Sequence, residues 1–194
     1  MRNIIVCTVV MALCGCATKP LGSDVISHIP TQFAATSFKE TIARPALPLP
    51  PKGVRSELGK GDQVFSFSGY LSYYKVFELP QQARGKIHVL VTGECACLGF
   101  DKRTLVPVVY ALTSTGEVVP VSAIKYSVRG GVLVDLNLDI TGNGTKYILV
   151  ASNNAEADRR VGDIAIMGMG GGPVMNLDVR SYPTGKFHLT YHSI

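Results

Sequence analysis

The clearest pattern in the chain is the alternation of apolar and polar residues between positions 132 and 140. Apolar side chains occupy every even position from Val132 to Ile140, and Asp135, Asn137 and Asp139 stand between them. Successive side chains of a β-strand point to opposite faces of the sheet, so this segment is predicted to be a half-buried strand with one face in water.

Short segments of similar character follow one another through most of the chain. Turns rich in glycine, proline, serine and asparagine separate them, and no long helical period occurs after residue 60. A parallel sheet would need helical crossovers, so the pattern predicts an all-β domain, an antiparallel β-sandwich or jelly roll. The predicted strands are Val64–Phe67, Leu71–Leu79, Lys86–Thr92, Thr104–Thr113, Glu117–Ser122, Ala123–Val128, Val132–Ile140, Lys146–Ser152, Asp163–Met169, Val174–Arg180 and Phe187–His192.

The first residues have the features of a bacterial export signal. Arg2 precedes the apolar segment 4–13, which is too short to span a bilayer. The sequence Leu13-Cys14-Gly15-Cys16 resembles a bacterial lipoprotein signal, which implies that Cys16 becomes the acylated first residue of the mature protein. An ordinary signal peptide is the alternative. In the lipoprotein resemblance, Ala17 in place of aspartate implies the outer membrane.

The chain of 194 residues is long enough for one domain with a signal and a tether. The segment Leu47-Pro48-Leu49-Pro50-Pro51 must be extended, because proline fixes φ and disfavours a helix before it. A short capped helical turn is predicted at Phe38–Ile42. The predicted regions are a lipoprotein signal peptide at 1–15, a tether and proline-rich spacer at 16–60, and the β-sandwich domain at 61–194.

The composition is that of a folded protein without a surface for nucleic acid. Hydrophobic residues make up 46% of the chain and charged residues 17%, which excludes a disordered chain. The formal net charge is +5, and removal of residues 1–15 takes away one arginine, leaving 18 basic against 14 acidic residues, a net +4. These charges are scattered and form no polybasic patch, so nucleic acid is not an expected partner.

Cys95 and Cys97 are the two cysteines that remain in the body if Cys16 carries lipid. Residues two apart on a strand face the same side with Cα atoms about 6.5–7 Å apart, at the outer limit for a disulfide. Three interpretations stay open: a strained redox-active pair, a small structural disulfide and two unpaired thiols. A structural or inert role is favoured, because Cys-x-Cys lacks the Cys-x-x-Cys spacing of redox motifs.

Oxygen-bearing side chains gather near the end of the alternating strand and in the turn after it. Calcium binds about six to eight oxygen ligands, so these residues are a candidate Ca²⁺ site. The polar face of a strand and its turn explain the same residues without a metal. The candidates are Asp135, Asn137, Asp139 and Asn143.

No motif predicts an enzyme or a resident cofactor. The chain has no Gly-x-Ser-x-Gly nucleophile motif, and the glycines at 170–172 are not followed by the Gly-Lys-Ser/Thr of a phosphate-binding loop. His188 and His192 share a strand face but lie about 13 Å apart, too far for one zinc ion. His88 stands alone on its own strand. The sequence therefore predicts a non-enzymatic protein with no cofactor.

Four tyrosines are candidates for ligand binding. Aromatic side chains with polar tips bind the faces of sugars and contribute strongly to protein interfaces. The chain has no tryptophan, so tyrosine would have to supply any stacking platform. Core packing is the alternative role for the same residues. The candidates are Tyr70, Tyr73, Tyr74 and Tyr110.

Three stretches carry a resemblance to a known family. They are Gln63–Gly69 (QVFSFSG), Ser72–Pro80 (SYYKVFELP) and Leu105–Leu112 (LVPVVYAL), the last followed by a turn at Gly116. Together they resemble the maltose operon periplasmic protein (MalM-like) family. The resemblance implies a periplasmic, non-enzymatic accessory protein linked to carbohydrate transport.

The sequence therefore predicts an outer-membrane lipoprotein whose β-sandwich body lies in the periplasm. Its expected role is that of an accessory binding module for carbohydrate transport, with an oligosaccharide as ligand and the membrane as partner through the lipid. The alternative is a structural subunit of an envelope-spanning secretion or surface-appendage assembly, with other envelope proteins as partners. The basis of this alternative is the lipid anchor, the spacer, the glycine-rich loop and the strand edges, which can pair with a partner's strand.

Overall fold

β-Strands make up most of the described chain. The computed structural model describes residues 22–32, 35–96, 102–128, 131–141, 144–167 and 173–193. Two helices, α1 (Ser23–His28) and α2 (Phe38–Ile42), precede the strands, and a 3-10 helix spans Asn154–Glu156. The strands are β1 (Leu47–Pro48), β2 (Val54–Leu58), β3 (Gln63–Phe67), β4 (Tyr70–Glu78), β5 (Lys86–Gly93), β6 (Cys95–Ala96), β7 (Lys102–Leu105), β8 (Pro107–Thr113), β9 (Val118–Val119), β10 (Ser122–Val128), β11 (Gly131–Asp139), β12 (Thr145–Ser152), β13 (Arg160–Met167), β14 (Pro173–Tyr182) and β15 (Gly185–Ser193).

Two main sheets face each other and form a sandwich. The first sheet has the strand order β1-β4-β12-β8-β9, with β3 also paired to β4, and the second has the order β10-β11-β5-β15-β2. Among the described strands of these sheets, each pairing is antiparallel except the short pairing of β1 with β4. The predicted all-β sandwich is confirmed.

A third, smaller sheet adjoins the sandwich. Its order is β13-β14-β7-β6, with β14 and β7 parallel and the other two pairs antiparallel. The backbone N–H of Glu94 donates to the carbonyl of Lys186 at 2.8 Å, which joins the start of β6 to β15 of the second sheet. β13 and β14 form a long hairpin, and the glycines at 170–172 that were predicted between them lie outside the described residues.

The main core lies between the two large sheets. The inward-facing residues of β11 are buried and Asn137 on its other face is exposed, as the alternation predicted. Phe77 of β4 meets Phe187 of β15 edge to face, with ring centroids 5.9 Å apart. Aromatic pairs of this geometry contribute about 0.5–1.5 kcal/mol beyond the burial of their area, so this contact helps to hold the two sheets together.

A second core covers the outer face of the first sheet. The ring of Phe38 in α2 lies with its centroid 5.1 Å from that of Phe65 and 4.8 Å from that of Tyr110. Gly116 has a φ of 84°, and a Cβ at this position would lie 2.7 Å from Cα of Lys39. Only glycine therefore allows the turn after β8 to approach α2 this closely.

The sandwich begins earlier in the chain than the sequence predicted. Ala35 forms a bridge with Phe65, β1 pairs with β4, and β2 is an edge strand of the second sheet. Leu49 and Leu58 are buried in the main core. The interval 16–60 is therefore not a tether over its described residues from 35 onward, because its apolar side chains pack into the two cores.

Side-chain contacts fix α1 to the third sheet. A carboxylate oxygen of Asp24 lies 2.6 Å from Nη2 of Arg103, and the hydroxyl of Tyr182 lies 2.8 Å from Nδ1 of His28. The guanidinium of Arg103 stacks over the ring of Tyr182, with its central carbon 4.5 Å from the ring centroid. The N-terminal helix is therefore attached to the body at β7 and β14.

Candidate interaction surface

The structure does not bring the four candidate tyrosines together. Tyr73 and Tyr74 are neighbours on β4 and point to opposite faces of the first sheet, Tyr73 into the main core and Tyr74 into the second core. Tyr110 stacks on Phe67 with ring planes 11° apart and centroids 5.5 Å apart. Tyr70 is exposed, with 50% of its surface accessible. The predicted stacking platform is therefore not formed by these residues.

Tyr73, Tyr74 and Tyr110 have surroundings typical of side chains that stabilise the fold. Burial is the main cause that raises the pKa of the Tyr73, Tyr74 and Tyr110 hydroxyls above the ordinary value of 10.0. Tyr74 donates its hydroxyl to Oε1 of Gln63 on the adjacent strand at 2.5 Å. These three side chains fit the core-packing role that was the alternative for them.

The described calcium candidates do not converge on one point. Asp135, Asn137 and Asp139 occupy alternate positions of β11, and such positions span about 13 Å over four residues. The carboxylate of Asp139 accepts a hydrogen bond from the backbone N–H of Thr141 at 3.0 Å, which lowers the pKa of Asp139. Asn143 lies outside the described residues. Within the described ranges, no group of three or more His, Cys, Asp or Glu side chains could hold a metal ion, so the predicted calcium site is not formed there.

Cys95 is disulfide-bonded. The other cysteines of the sequence, Cys97 included, lie outside the described residues, so the pairing of Cys95 with Cys97 stays a prediction. Cys95 also lines a cavity of about 630 Å³ between the third sheet and the end of the second. The charged residues of this cavity carry both signs and indicate no single ligand charge: Glu57, Glu94, Arg103 and Lys186.

The predicted lipid anchor at Cys16 lies outside the described residues. None of the helices in the described part of the chain has the length and apolar character needed to cross a bilayer. The lipoprotein signal and the outer-membrane address therefore stay predictions.

β10 is an edge strand with exposed side chains on both of its faces. Each residue from Ser122 to Tyr126 is exposed, with Ile124 at 46% and Tyr126 at 43% of their full accessible surface. The strand pairs with β11 on one side, and no described strand pairs with its other side. The outer side of an edge strand presents backbone N–H and C=O groups to which another strand can bind.

The other edges of the two main sheets are shorter or covered. β1 and β9 contain 2 residues each, and β1 ends in proline. Ala35 donates its backbone N–H to the strand β3 at 3.2 Å. Lys75 extends over β2 and donates to Oγ of Ser56 at 3.3 Å and to the carbonyl of Glu57. Within the described part of the main sheets, β10 is therefore the most open edge.

The β13–β14 hairpin approaches β10 and adds an amphipathic ribbon to this side of the protein. Ile164 and Leu177 lie opposite each other on one face, and Met175 is exposed two residues further along that face. The opposite face of the ribbon carries Asp178, whose carboxylate lies 3.3 Å from Nε of Arg160. Met175 and the partly exposed Ile164 and Leu177 therefore place apolar surface on this side of the protein.

No family model, curated protein or solved structure matches this chain. The resemblance to the MalM-like family therefore stays a prediction. The strand pairings themselves establish the all-β sandwich fold.

Proposed function

We propose that the protein is a non-enzymatic, lipid-anchored subunit of a bacterial envelope assembly and binds a partner protein through the β10 edge. The observation that carries this proposal is the exposed edge strand Ser122–Val128, whose outer side is not paired with any described strand. Extended peptide segments bind such edges through main-chain hydrogen bonds, and pockets for alternate side chains give the specificity.

The proposed occupant is an extended segment of a different protein whose apolar side chains lie against Ile124 and Tyr126. Lys125 already has an acidic partner, because its Nζ lies 2.7 Å from Oε2 of Glu156. Lys125 is the middle residue of β10, so two copies paired antiparallel over the whole strand would place it directly against its own counterpart. Both lysines, each with its Glu156, would then have to fit at one point of the pairing, and like charges directly opposite each other destabilise a strand pair. Ile124 and Tyr126 lie on the other face of the strand from Lys125, opposite Asp135 and Leu133 of β11, and offer apolar contacts to the same segment. A heterologous strand therefore fits this edge better than a second copy.

The lipid anchor belongs to the same proposal. The seven steps from Cys16 to Ser23 span at most about 25 Å when fully extended. α1 is fixed to the third sheet by the ion pair between Asp24 and Arg103. A lipid on Cys16 would thus keep the third sheet close to the membrane surface, and replacement of Cys16 with serine should move the protein to the soluble periplasmic fraction.

A carbohydrate ligand has less support. That expectation depended on a platform of tyrosines, and Tyr70 is the exposed member of the four. Tyr73 and Tyr74 are buried in the two cores, and Tyr110 is partly buried against Phe38 and Phe67, so the four do not form one open platform. The subunit role is for this reason the function that we propose.

The test is affinity purification of the lipidated protein from detergent-solubilised envelopes, with partner yield measured per mole of bait. The double variant I124E/Y126E should reduce the yield of the stoichiometric partner about tenfold, because it replaces two apolar contacts with charged side chains. Tyr70→Glu is the matched control, since this tyrosine is exposed on the other sheet, and it should leave the yield unchanged.

Equal yields from the wild type and the double variant would contradict the proposal. So would an equal loss from Tyr70→Glu, because the effect would then not depend on the β10 edge. A partner identified as a second copy of this chain would contradict the proposed occupant. Thermal unfolding of each variant shows whether the sandwich is retained.

A further inference from the structure

His88 of β5 lies directly opposite His192 of β15 on the outer face of the second sheet. Directly opposite residues on antiparallel strands have Cβ atoms about 4.5–5.5 Å apart and point to the same face. His192 is exposed, and the side chain of His88 retains 38% of its accessible surface. The two histidines therefore occupy neighbouring positions on one face of the sheet, both reachable by a dissolved ion.

Asp135 of β11 contacts His88 from the other side. Its Oδ1 lies 3.2 Å from Nδ1 of His88. A carboxylate only accepts hydrogen bonds, so Nδ1 is the donor, and the lone pair of the neutral imidazole is then on Nε2. Histidines that bind metals in proteins are commonly oriented in this way, by a carboxylate on the ring nitrogen that the metal does not use.

We propose that His88 and His192 together bind one divalent transition-metal ion of the zinc, nickel or copper type. Asp135 is a positioning residue that directs Nε2 of His88 toward the ion. Imidazole nitrogen suits these metals, whereas calcium and magnesium prefer oxygen ligands. Two protein ligands leave the remaining coordination positions to water, so the site is open at the surface of the sheet.

Within the described ranges no group of three or more His, Cys, Asp or Glu side chains could hold a metal ion, so the proposed site has two protein ligands. The site uses two histidines, and Asp135 contacts a ring nitrogen instead of the ion. This site is separate from the proposed partner-binding surface. His88 and His192 lie on the inner strands β5 and β15, whereas the proposed partner binds the edge strand β10. A bound ion would connect β5 to β15 and stabilise the folded state by mass action.

His188 provides a matched control within the same strand. It lies on the same face of β15 as His192, about 13 Å away along the strand. Its opposite residue on β5 is Thr92, which has no imidazole. A zinc ion at the proposed site would therefore not involve His188.

The test measures Zn²⁺ binding to the untagged mature lipoprotein in detergent by isothermal titration calorimetry. The wild type should bind one ion, and His88→Asn and His192→Asn should each weaken binding about tenfold or more, because each removes one ligand. His188→Asn should leave the affinity unchanged. Absence of Zn²⁺ binding to the wild type, wild-type affinity in either ligand variant, or the same loss in His188→Asn would overturn the proposal.

The wild type offers a second measurement that does not depend on the folding of a variant. The ring resonances of His88 and His192 should shift on addition of Zn²⁺, and those of His188 should not. Asp135→Asn should weaken binding about tenfold and move the proton of His88 toward Nε2, as seen in its ring nitrogen shifts, while Asp135→Glu restores both. A weaker affinity with an unchanged His88 tautomer would show that Asp135 does not position this ring.

Discussion

The rings of Phe38 in α2 and Tyr110 in β8 lie with their centroids 4.8 Å apart on the outer face of the first sheet. Phe38 also contacts Phe65 and Phe67, with centroid distances of 5.1 and 6.1 Å. Phe38 belongs to the interval 16–60 that was predicted to be a tether and spacer, and this part of the interval packs into the folded domain. The stability of the sandwich depends on residues that precede its main strands.

Replacement of Phe38 with alanine should lower the free energy of unfolding by about 2–3 kcal/mol, because the second core loses a large and partly buried ring. Tyr70→Ala is the control, since this side chain is exposed, and it should change the free energy by less than about 0.5 kcal/mol. Equilibrium unfolding in urea, followed by circular dichroism, measures both values. Equal effects of the two substitutions would show that α2 does not pack on the sheet.

Glu40 completes the N-terminal cap of α2. The hydroxyl and the backbone N–H of Thr36 each donate to its carboxylate at 2.6 Å, and the N–H of Glu40 donates to Oγ of Ser37 at 3.3 Å. The side-chain hydrogen bond from Thr36, followed by the backbone one, lowers the pKa of Glu40 below its ordinary 4.5. A carboxyl whose folded pKa is lowered stabilises the fold above the unfolded pKa and loses this contribution as the pH falls through the folded value.

The variant Glu40→Gln should therefore differ from the wild type in a pH-dependent way. The wild type should be the more stable protein above pH 4.5, and the difference should shrink as the solution is acidified below that value, because the glutamate becomes neutral like the glutamine. Urea unfolding of both proteins at a series of pH values measures this. A difference that is constant across the series would show that the charge of Glu40 does not contribute.

Cys95 should be paired with Cys97 in the mature protein. With the proposed processing, Cys7 and Cys14 would leave with the signal peptide and Cys16 would carry lipid, so Cys97 would be the remaining partner for the disulfide-bonded Cys95. Iodoacetamide should add no mass to the protein before reduction and should label both cysteines after it. Mass spectrometry of the intact chain measures this, and a label on Cys97 without reductant would contradict the pairing.

The alternation on β11 could be predicted from the sequence because one face of this strand is in the core and the other is in water. The same reasoning could not place Tyr73 and Tyr74. Both faces of β4 are buried, since α2 and its neighbours cover the side that would otherwise meet solvent. α2 is distant from β4 in the sequence, so the pattern of residues within β4 does not show that its second face is covered.

The opposition of His88 and His192 was also beyond the sequence pattern. His188 and His192 lie on one strand, so their spacing in the sequence is enough to predict that they are too far apart to bind one ion. The relation of His88 to His192 depends on the pairing and register of β5 with β15, which are distant in the chain. The sequence predicted the strand Ala123–Val128 correctly. Its position at an edge depends on the order of strands in the folded sheet, which the sequence pattern does not contain.

Photo-crosslinking in living cells tests the β10 edge most directly. A crosslinking amino acid replaces Tyr126 in one strain and Tyr70 in another, two tyrosines of similar exposure, 43% and 50%, on different sheets. The account predicts that position 126 crosslinks to one envelope protein, within an extended segment, and that position 70 does not. No crosslink from position 126, the same crosslinks from both positions, or a crosslink to a second copy of the chain would contradict it.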